Sequence, residues 1–532
     1  MIRGLLNVVQ IVLLSALFLV TRCANHQNIF VAGNVYFVDA DCYARMTRVQ
    51  MCGAKPGLIV RHHAFENFPE GTTPHTTAPL DYLILGLSLL LGPFTMHPLD
   101  LAGAFVSPLL ALFGGLFLWW WSGKMKLRYR GVMLILYAIS PILVHGTELG
   151  RPDHQSLSIL LMTIAICAEW SSQTKTPRNV FTAASTDHDS WSIVSGAAWG
   201  LAIWNSAYES LILFLVVIIV SAIEDRKALL GRSRRRGWLC FVLIIALALL
   251  VERRIPALLF WTSDAIFKNW ARTIGELAHV SPANPIWFRW CGYFLLITPF
   301  LILMQIKTRR DGAPNDRYLP VYVLLIVTYL LTIWQARWGY FFALIFAIAL
   351  PALLEPVKSR AAVWIAFVLS IAPILRDWDE RLWPNEAQLF RRIEQRDEAA
   401  QIRNLAFNLQ SSDTRPFLAP WWLSPSIAYW SGQPGVAGSS HESLSGIADS
   451  ARFFLSDDLQ KAREILNKRK AALVFAYESE RVAQNSAAIL NRELPPHSLC
   501  RVLDRMPSQA PPFLIFSGQN AACKLYRVAI EQ

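Results

Sequence analysis

Long apolar runs alternate with short polar loops along most of this chain, and this alternation constrains its fold more than any other feature. A helix of about 20 apolar residues spans the hydrocarbon core of a bilayer. Of the 532 residues, 54% are hydrophobic and only 17% are charged, whereas soluble domains carry about 25% charged residues. The pattern predicts a polytopic α-helical membrane domain with about eleven transmembrane helices.

The basic residues predict the orientation. The net charge is +12 at pH 7, but Lys and Arg cluster in short loops between apolar runs, chiefly at residues 124–130 and 226–236. This asymmetry is typical of cytoplasmic loops, and it does not indicate nucleic-acid binding. The apolar run 80–93 is short for a span, and a full crossing there would place residues 124–130 outside. We therefore assign residues 80–93 to an outer loop.

Composition also predicts the domain boundaries. We expect a transmembrane domain at residues 1–375, with large outer loops at residues 24–98 and 252–285. Residues 376–532 carry many charges and no spanning run, which predicts a soluble mixed α/β domain on the outer side of the membrane. Residues 4–22 are expected to be a retained helix, with a signal peptide as the alternative. In the tail, the pattern predicts a helix over 386–410 and strands over 471–477, 513–516 and 524–530.

The acidic residues of the predicted outer loops fall into three groups. Asp39 and Asp41 lie in the first, Glu148 and Asp153 in the second, and Glu276 in the third. An isolated Asp-x-Asp is more often a pair of solvated surface acids. These residues were not used to set the topology, however, so their convergence on one face favours a shared site. Carboxylate oxygens are the ligands that Mg²⁺ and Mn²⁺ prefer, and such ions often bridge to substrate phosphates.

Three motifs on this face carry a resemblance to a known family. They are Asp41-Cys42-Tyr43, the sequence Gly-Arg-Pro-Asp-His-Gln at residues 150–155, and Thr273-Ile274-Gly275-Glu276. In this order they resemble motifs of the catalytic subunit of oligosaccharyltransferase, a glycosyltransferase of the C-type fold that uses lipid-linked sugars. The resemblance implies that Asp41, Asp153 and Glu276 are catalytic and hold Mg²⁺ or Mn²⁺. It implies His154 and the neutral Gln155 as weaker metal ligands.

The same resemblance implies a set of substrate-binding residues. Arg337 stands where the family has an Arg that contacts the lipid pyrophosphate. Arg151 is a candidate replacement for another family Arg that this chain lacks. Tyr43 belongs to the first motif, and Trp421-Trp422 opens the signature of the tail domain. Each has a simpler interpretation when taken alone, Arg337 as a membrane-edge anchor and the Trp pair as core aromatics.

One departure from the family concerns the acceptor. The family has an Asp after the Trp pair that reads the hydroxyl of an Asn-x-Ser/Thr acceptor, and this chain has Leu423 there. A Leu side chain accepts no hydrogen bond. Ser424 or Asp449 could take over the role. Metal-assisted sugar transfer is therefore better supported than glycosylation of Asn-x-Ser/Thr.

These features predict an enzyme that transfers a sugar or oligosaccharide from a polyprenyl-phosphate or polyprenyl-pyrophosphate donor. The acceptor on the outer face is a protein, a glycan or a lipid, and the resemblance implies a metal-dependent displacement with inversion. The alternative is a non-catalytic protein that binds or transports lipid-linked sugars. Transporters place charges within their spans near the bilayer midplane, whereas these runs are nearly free of charge, which disfavours transport.

Cysteine spacing leaves two disulfides open. Cys42 and Cys52 share the first outer loop, and Cys500 and Cys523 share the tail. Either pair is a possible disulfide if that side of the membrane is oxidising.

The orientation is testable with single-cysteine variants in spheroplasts. We expect a Cys at Lys126 to be protected from a membrane-impermeant thiol reagent, and a Cys at Glu276 to react, because basic loops stay in the cytoplasm. A Cys at Asp413 is the outer-side control. Labelling at Lys126 in intact spheroplasts would show that the chain has the opposite orientation. The argument for a shared site on the outer face would then fail.

Overall fold

The computed structural model describes residues 2–173, 184–255, 264–310 and 319–529. Two predicted features fall partly outside this range. They are the stretch 256–263 of the second large outer loop and Ile530, the predicted end of the last strand.

Helices dominate the described residues. In chain order they are α1 (Ile2–Arg22), α2 (His26–Ile29), α3 (Ala40–Ala54), α4 (Ala78–Leu91), α5 (Pro98–Lys124), α6 (Arg130–Ile139), α7 (Pro141–His145), α8 (His154–Gln173), α9 (Ala184–Asn205), α10 (Ala207–Leu229), α11 (Arg232–Glu252), α12 (Ala265–Ala271), α13 (Ile286–Cys291), α14 (Phe294–Arg310), α15 (Leu319–Trp334), α16 (Gly339–Leu353), α17 (Arg360–Ser370), α18 (Ala372–Leu382), α19 (Glu386–Phe407), α20 (Ser424–Ser431), α21 (Leu444–Leu455), α22 (Leu459–Lys468), α23 (Ser479–Leu490) and α24 (Leu499–Arg505). The strands are β1 (Phe30–Val31), β2 (Asn34–Val35), β3 (Phe417–Leu418), β4 (Leu473–Tyr477), β5 (Leu514–Gln519) and β6 (Cys523–Val528).

The chain divides into two compact units, each built from separate segments. The helical unit comprises Met1–His26, Phe105–Ile255 and Ala278–Asn385. The α/β unit comprises Gln27–Ala104, Pro256–Leu277 and Glu386–Gln532. The two predicted outer loops therefore belong largely to the same compact unit as the C-terminal segment.

Several helices are long and apolar enough to cross a membrane. Among the described residues four pass this test, and the pair α17 and α18, bent by 43°, makes a fifth if it is one span. Two other predicted spans, at residues 131–145 and 286–305, are interrupted helices. Pro141 separates α6 from α7, because proline has no N–H to continue the helix. Gly292 separates α13 from α14 with φ +74°, and a Cβ there would lie 2.7 Å from the Ser370 carbonyl oxygen.

Helix α16 is the centre of the helical unit. All 15 of its residues are buried, and α6, α7, α8, α13, α14 and α15 pack against it. A helix that is apolar on every face needs such complete cover. This packing fixes the three-residue turn that precedes α16 and carries Arg337.

Helices α8, α9 and α11 pack closely as a group. A Cβ at Gly196 of α9 would collide with the Gly237 carbonyl of α11, so only glycine permits this approach. Glu169 of α8 forms a buried ion pair with Arg234 of α11. The Ser195 hydroxyl of α9 donates to the same Glu169 carboxylate at 2.8 Å. Glu169 is thus a charge inside an apolar run that was treated as nearly charge-free.

The α/β unit contains a four-stranded sheet in the order β3-β4-β6-β5. Strands β3 and β4 are parallel, and the other pairs are antiparallel, with Val474 opposite Tyr526. All five residues of β4 are buried, which explains why its apolar run was recognisable in the sequence. The predicted helix over 386–410 is present as α19, and the predicted strands correspond to β4, β5 and β6.

The apolar run 80–93 lies in the α/β unit as α4, which is 14 residues long. Helix α4 is tied to α3 by buried ion pairs. Asp81 Oδ1 lies 2.7 Å from the Arg45 guanidinium and 2.9 Å from that of Arg48. These contacts hold α3, whose first turn carries Asp41, against α4.

Neither of the two possible disulfides is present, since none of the eight cysteines is in a disulfide. Cys42 and Cys52 lie on the same helix, α3. Ten residues of helix separate them by about 15 Å, roughly twice the Cα separation that a disulfide permits. Cys500 Sγ instead lies 3.2 Å from the Ser498 hydroxyl.

Candidate functional site

Asp153 stands immediately before α8 in the helical unit. The backbone N–H of His154 donates to Asp153 Oδ1 at 2.6 Å, and His154 Nδ1 lies 2.7 Å from the same oxygen. Both side chains are buried, with 4% and 7% of their surface exposed. A carboxylate at a helix N-terminus is stabilised by the helix dipole, so this position suits an ionised Asp153.

Arg22 fixes the loop that leads to Asp153. Its guanidinium donates to the Tyr137 carbonyl at 2.8 Å and also to the Ala138 carbonyl, at the end of α6. Pro141 has no N–H to donate to the Tyr137 carbonyl, so Arg22 replaces that missing partner. The Arg22 carbonyl in turn accepts a hydrogen bond from the Leu149 N–H at 2.9 Å. The break in one helix and the start of the loop are therefore held by the same residue.

Gln155 presents a buried oxygen beside Asp153. The residue is 5% exposed, and in the described part of the chain no hydrogen bond reaches its Oε1. An oxygen buried without a donor costs free energy unless a ligand satisfies it. Carboxylate and amide oxygens, as in Asp153 and Gln155, are ligand types that hard divalent cations such as Mg²⁺ or Mn²⁺ accept.

Arg151 is buried among polar side chains of the helical unit. Its Nε donates to Glu148 Oε1 at 3.3 Å, and its Nη2 lies 3.1 Å from His145 Nε2. His145 Nδ1 lies 2.9 Å from the hydroxyl of Tyr340 on α16. Arg151 thus has local partners that connect its loop to the central helix.

Arg337 forms an ion pair with Glu209 that the sequence analysis did not anticipate. Arg337 Nη2 lies 2.6 Å from Glu209 Oε1, and its guanidinium lies over the Tyr208 ring at 5.6 Å. The Ser206 hydroxyl donates to the other oxygen of Glu209 at 2.8 Å. The signal that could have identified Glu209 is a single carboxylate in the first turn of α10, just before the apolar run 211–223.

The turn between α9 and α10 contacts both charged regions of the helical unit. Asn205 Nδ2 donates to the His154 carbonyl at 3.0 Å and to the Ser158 hydroxyl at 2.9 Å. Glu209, four residues later, pairs with Arg337. The structure therefore links the N-terminus of α8, with Asp153, to the turn that carries Arg337.

The first motif lies in the α/β unit. Asp39 caps α3 by accepting a hydrogen bond from the Cys42 N–H at 3.0 Å, and Asp41 is exposed in the first turn. Tyr43 is buried, and its hydroxyl accepts from the Phe37 N–H at 3.0 Å. Burial raises the pKa of Tyr43 far above its usual range, so the phenol stays neutral. Among these residues the structure leaves Asp41 the most accessible.

The segment that carries Glu276 is attached to the Trp pair of the same unit. Trp270 of α12 contacts Trp421 edge-to-face at 5.7 Å, and the Thr273 hydroxyl donates to the Trp270 carbonyl at 2.7 Å. Trp421 Nε1 donates to Asn485 Oδ1 at 2.9 Å. Glu276 follows in a half-buried 3₁₀ turn, Gly275–Leu277.

Beyond this turn the chain enters the helical unit. The Ala278 carbonyl accepts a hydrogen bond from the Ala336 N–H at 2.9 Å, next to Arg337. The Val280 N–H donates to the Ile333 carbonyl at 3.2 Å. Two backbone contacts therefore fix the chain shortly after Glu276.

Neither Ser424 nor Asp449, the two alternative hydrogen-bond partners for a hydroxyl of the acceptor substrate, is available. Ser424 is fully buried, and its hydroxyl donates to the Pro420 carbonyl at 3.2 Å. Asp449 accepts from Lys468 at 2.7 Å and from Arg469 at 2.9 Å. Burial tends to raise the pKa of Asp449, but its bonds to Lys468 and Arg469 outweigh this and lower it. Asp449 is thus an ionised carboxylate already engaged by cations.

The predicted site residues therefore fall into two sets. Arg151, Asp153, His154, Gln155 and Arg337 lie in the helical unit, joined by the contacts of the α9–α10 turn. The members in the α/β unit are Tyr43, Asp41, Glu276, Trp421 and Trp422.

No family model matches the sequence, and no curated protein matches it. Solved structures do match. An oligosaccharyltransferase of Archaeoglobus fulgidus, tethered to an acceptor peptide with the NVT sequon, aligns over 90% of this chain and 70% of its own, with a TM-score of 0.67 and 13% identity. The same archaeal protein in complex with Zn and sulfate aligns over 97% of this chain and 73% of its own, with a TM-score of 0.62 and 13% identity.

ArnT from Cupriavidus metallidurans, bound to undecaprenyl phosphate, is similar over nearly the full length of both proteins. It aligns over 98% of this chain and 97% of its own, with a TM-score of 0.55 and 14% identity. At these identities the similarity shows the fold. The chain is a multi-pass membrane protein with the C-type glycosyltransferase fold and a C-terminal globular region, as the sequence predicted.

The Arg337–Glu209 pair gives a prediction about stability. Arg337→Ala leaves Glu209, 3% exposed at its side chain, as a buried carboxylate without its cation, which costs about 1–3 kcal/mol. We expect a lower thermal midpoint in detergent for Arg337→Ala, and partial recovery in Arg337→Ala/Glu209→Gln because the charge is then removed. Arg376→Ala, at an 83% exposed side chain, is the matched control. Additive losses in the double variant would contradict the pairing.

Proposed function

We propose that this protein is a glycosyltransferase of the bacterial inner membrane that uses a polyprenyl-phosphate or polyprenyl-pyrophosphate sugar donor. The transferred group is a sugar or oligosaccharide, and the acceptor is on the periplasmic face. The observation that carries the proposal is the connection between the Asp153 loop and Arg337 within the helical unit. The α9–α10 turn contacts the helix that follows Asp153 and also pairs with Arg337. The solved ArnT structure, with the same fold, contains undecaprenyl phosphate.

In this proposal Asp41, Asp153 and Glu276 are the principal ligands of Mg²⁺ or Mn²⁺, with Gln155 and His154 as additional ones. When bound, the cation neutralises charge that develops on the leaving phosphate. The support for a metal here is the chemistry of the oxygen donors and the buried Gln155 Oε1 that has no hydrogen-bond donor in the described residues. The archaeal oligosaccharyltransferase of the same fold forms a complex with Zn and sulfate, which supports this proposal.

The chain's own residues have defined tasks in this mechanism. Arg337 binds a phosphate oxygen, exchanging part of its ion pair with Glu209 for the substrate anion. Tyr208, which lies beneath the guanidinium, keeps its plane oriented during that exchange. Asp41 or Glu276 accepts a hydrogen bond from the acceptor and polarises it for attack at the anomeric carbon. A single displacement inverts the configuration at that carbon.

A non-catalytic protein that binds or transports lipid-linked sugars is the alternative function. The buried ion pairs of the helical unit include Glu169–Arg234 and Glu209–Arg337, so both carboxylates have a cationic partner. Transport sites usually combine charges near the midplane with interrupted helices. Metal-dependent release of polyprenyl phosphate from a labelled donor, with the sugar appearing on an acceptor, distinguishes the enzyme from a binding protein.

The metal-ligand assignment gives the second prediction for the purified protein. Asp41→Asn and Asp153→Asn should each lower transfer from a radiolabelled lipid-linked donor at least 100-fold. The reason is that each substitution removes a ligand charge while keeping the side-chain shape. Asp413→Asn, at an 80% exposed side chain, is the control and should retain full activity. Wild-type turnover by both variants in the presence of a chelator would rule out the metal mechanism.

The acceptor prediction follows from Leu423. The family's Asp is absent, Ser424 is bonded to the backbone, and Asp449 is bound by Arg469. We therefore expect no preference for an Asn-x-Thr peptide over its Asn-x-Ala counterpart. The free energy of one hydrogen bond to a charged acceptor is about 1.5–3 kcal/mol. Leu423→Asp should introduce a preference of roughly ten- to a hundred-fold for the Thr peptide, if peptides are acceptors at all. Efficient wild-type glycosylation of Asn-x-Thr alone would contradict this.

A further inference from the structure

We propose that His75, His441 and Glu442 form a second divalent-cation site, whose ligands all lie within the α/β unit. His75 comes from the segment between α3 and α4, and the other two residues come from the turn that precedes α21. Two imidazoles and one carboxylate are a ligand set that suits Zn²⁺ and similar transition ions better than Mg²⁺. This site is independent of the proposed transferase mechanism.

The three side chains already have the separation that one cation requires. Glu442 Oε1 lies 2.7 Å from His75 Nδ1 and 3.5 Å from His441 Nε2. The ligand atoms all lie within 4.8 Å of one another. Metal–ligand bonds of about 2.0–2.2 Å place neighbouring ligands of a tetrahedral ion roughly 3.3 Å apart. Small side-chain rotations are therefore sufficient to bind an ion.

The backbone around these residues keeps the side chains in place. The His75 N–H donates to Glu442 Oε1 at 2.5 Å, which fixes the carboxylate against the segment that carries His75. The two imidazole rings pack against each other, tilted by 41° with centroids 4.9 Å apart. His75 retains 34% side-chain exposure, which leaves a route for an ion and room for water as a further ligand.

A buried carboxyl behind the cluster supports the presence of a cation. Glu66 is 5% exposed, and in the described residues no hydrogen bond reaches its Oε1. Gly438 permits this arrangement, since a Cβ there would lie 2.6 Å from the Glu66 carboxyl carbon. A bound cation would offset the burial of two carboxyl groups, Glu66 and Glu442, in this part of the unit.

An ion held here would join two segments that are far apart in the sequence, since 366 residues separate His75 from His441.

The test measures bound metal in full-length protein purified in detergent. All variants carry Asp153→Asn, so that the oxygen site proposed above does not contribute. Protein is stripped with a chelator, incubated with Zn²⁺, desalted, and its zinc content is determined by mass spectrometry. We expect about one Zn²⁺ per chain in this background, and at least a five-fold loss on adding His441→Gln or Glu442→Gln. His497→Gln, at an exposed His of the same unit, is the matched control and should retain the ion.

A second measurement separates metal binding from misfolding. Zn²⁺ should raise the thermal midpoint of the Asp153→Asn protein and leave that of the His441→Gln variant unchanged. If His441→Gln does not fold, His75→Gln at the most exposed ligand serves in its place. Equal zinc content in the background and the ligand variants, or no bound zinc in the background, would show that the three residues form only a hydrogen-bonded cluster.

Discussion

Arg22 donates to the carbonyls at the end of α6, and the position of the Asp153 loop depends on this buried interaction. Pro141 interrupts the helix and leaves the Tyr137 carbonyl without its usual donor inside an apolar core. Arg22 supplies the donor from α1, and its own backbone carbonyl receives the Leu149 N–H. Arg22 supplies the hydrogen bond that is missing at the break between α6 and α7. It thereby also fixes the start of the loop that leads to Asp153. The local cost of the break is recovered by a contact that also orders the site.

The same principle governs the opposite side of the helical unit, where polar contacts are concentrated in one short turn. Asn205 bonds to the backbone of His154, and Glu209 bonds to Arg337. Both contacts are buried, so each is strong and each is costly to break. Movement of the α9–α10 turn would therefore change the surroundings of Asp153 and of Arg337 together. If Arg337 binds a phosphate, as proposed above, the α9–α10 turn connects that phosphate to the start of α8.

The sequence was informative where a property is local. Apolar periodicity located most helices, the helix α19 and the strand β4, and short motifs located residues at helix starts. It failed where a property depends on contacts between distant segments. Glu209 was overlooked because one acid in an apolar run has no recognisable spacing, and the pairing of His75 with His441 is not visible across 366 residues. The possible Cys42–Cys52 disulfide, which the sequence left open, is ruled out because both residues lie on one helix. The assignment of Asp41, Asp153 and Glu276 to one metal stays a prediction.

The backbone contact at Ala278 limits how far Glu276 can move. Ala278 is bonded to Ala336 beside Arg337, and it follows Glu276 by only two residues. Two residues of fully extended chain cover at most about 7 Å. As long as that bond holds, the Cα of Glu276 is confined to a sphere of this radius around Ala278, whatever the preceding loop does. On the other side, six residues separate Glu276 from Trp270 and permit about 20 Å. The link to Ala278 is therefore much shorter than the link to Trp270, and it sets the distance over which the Cα of Glu276 can move.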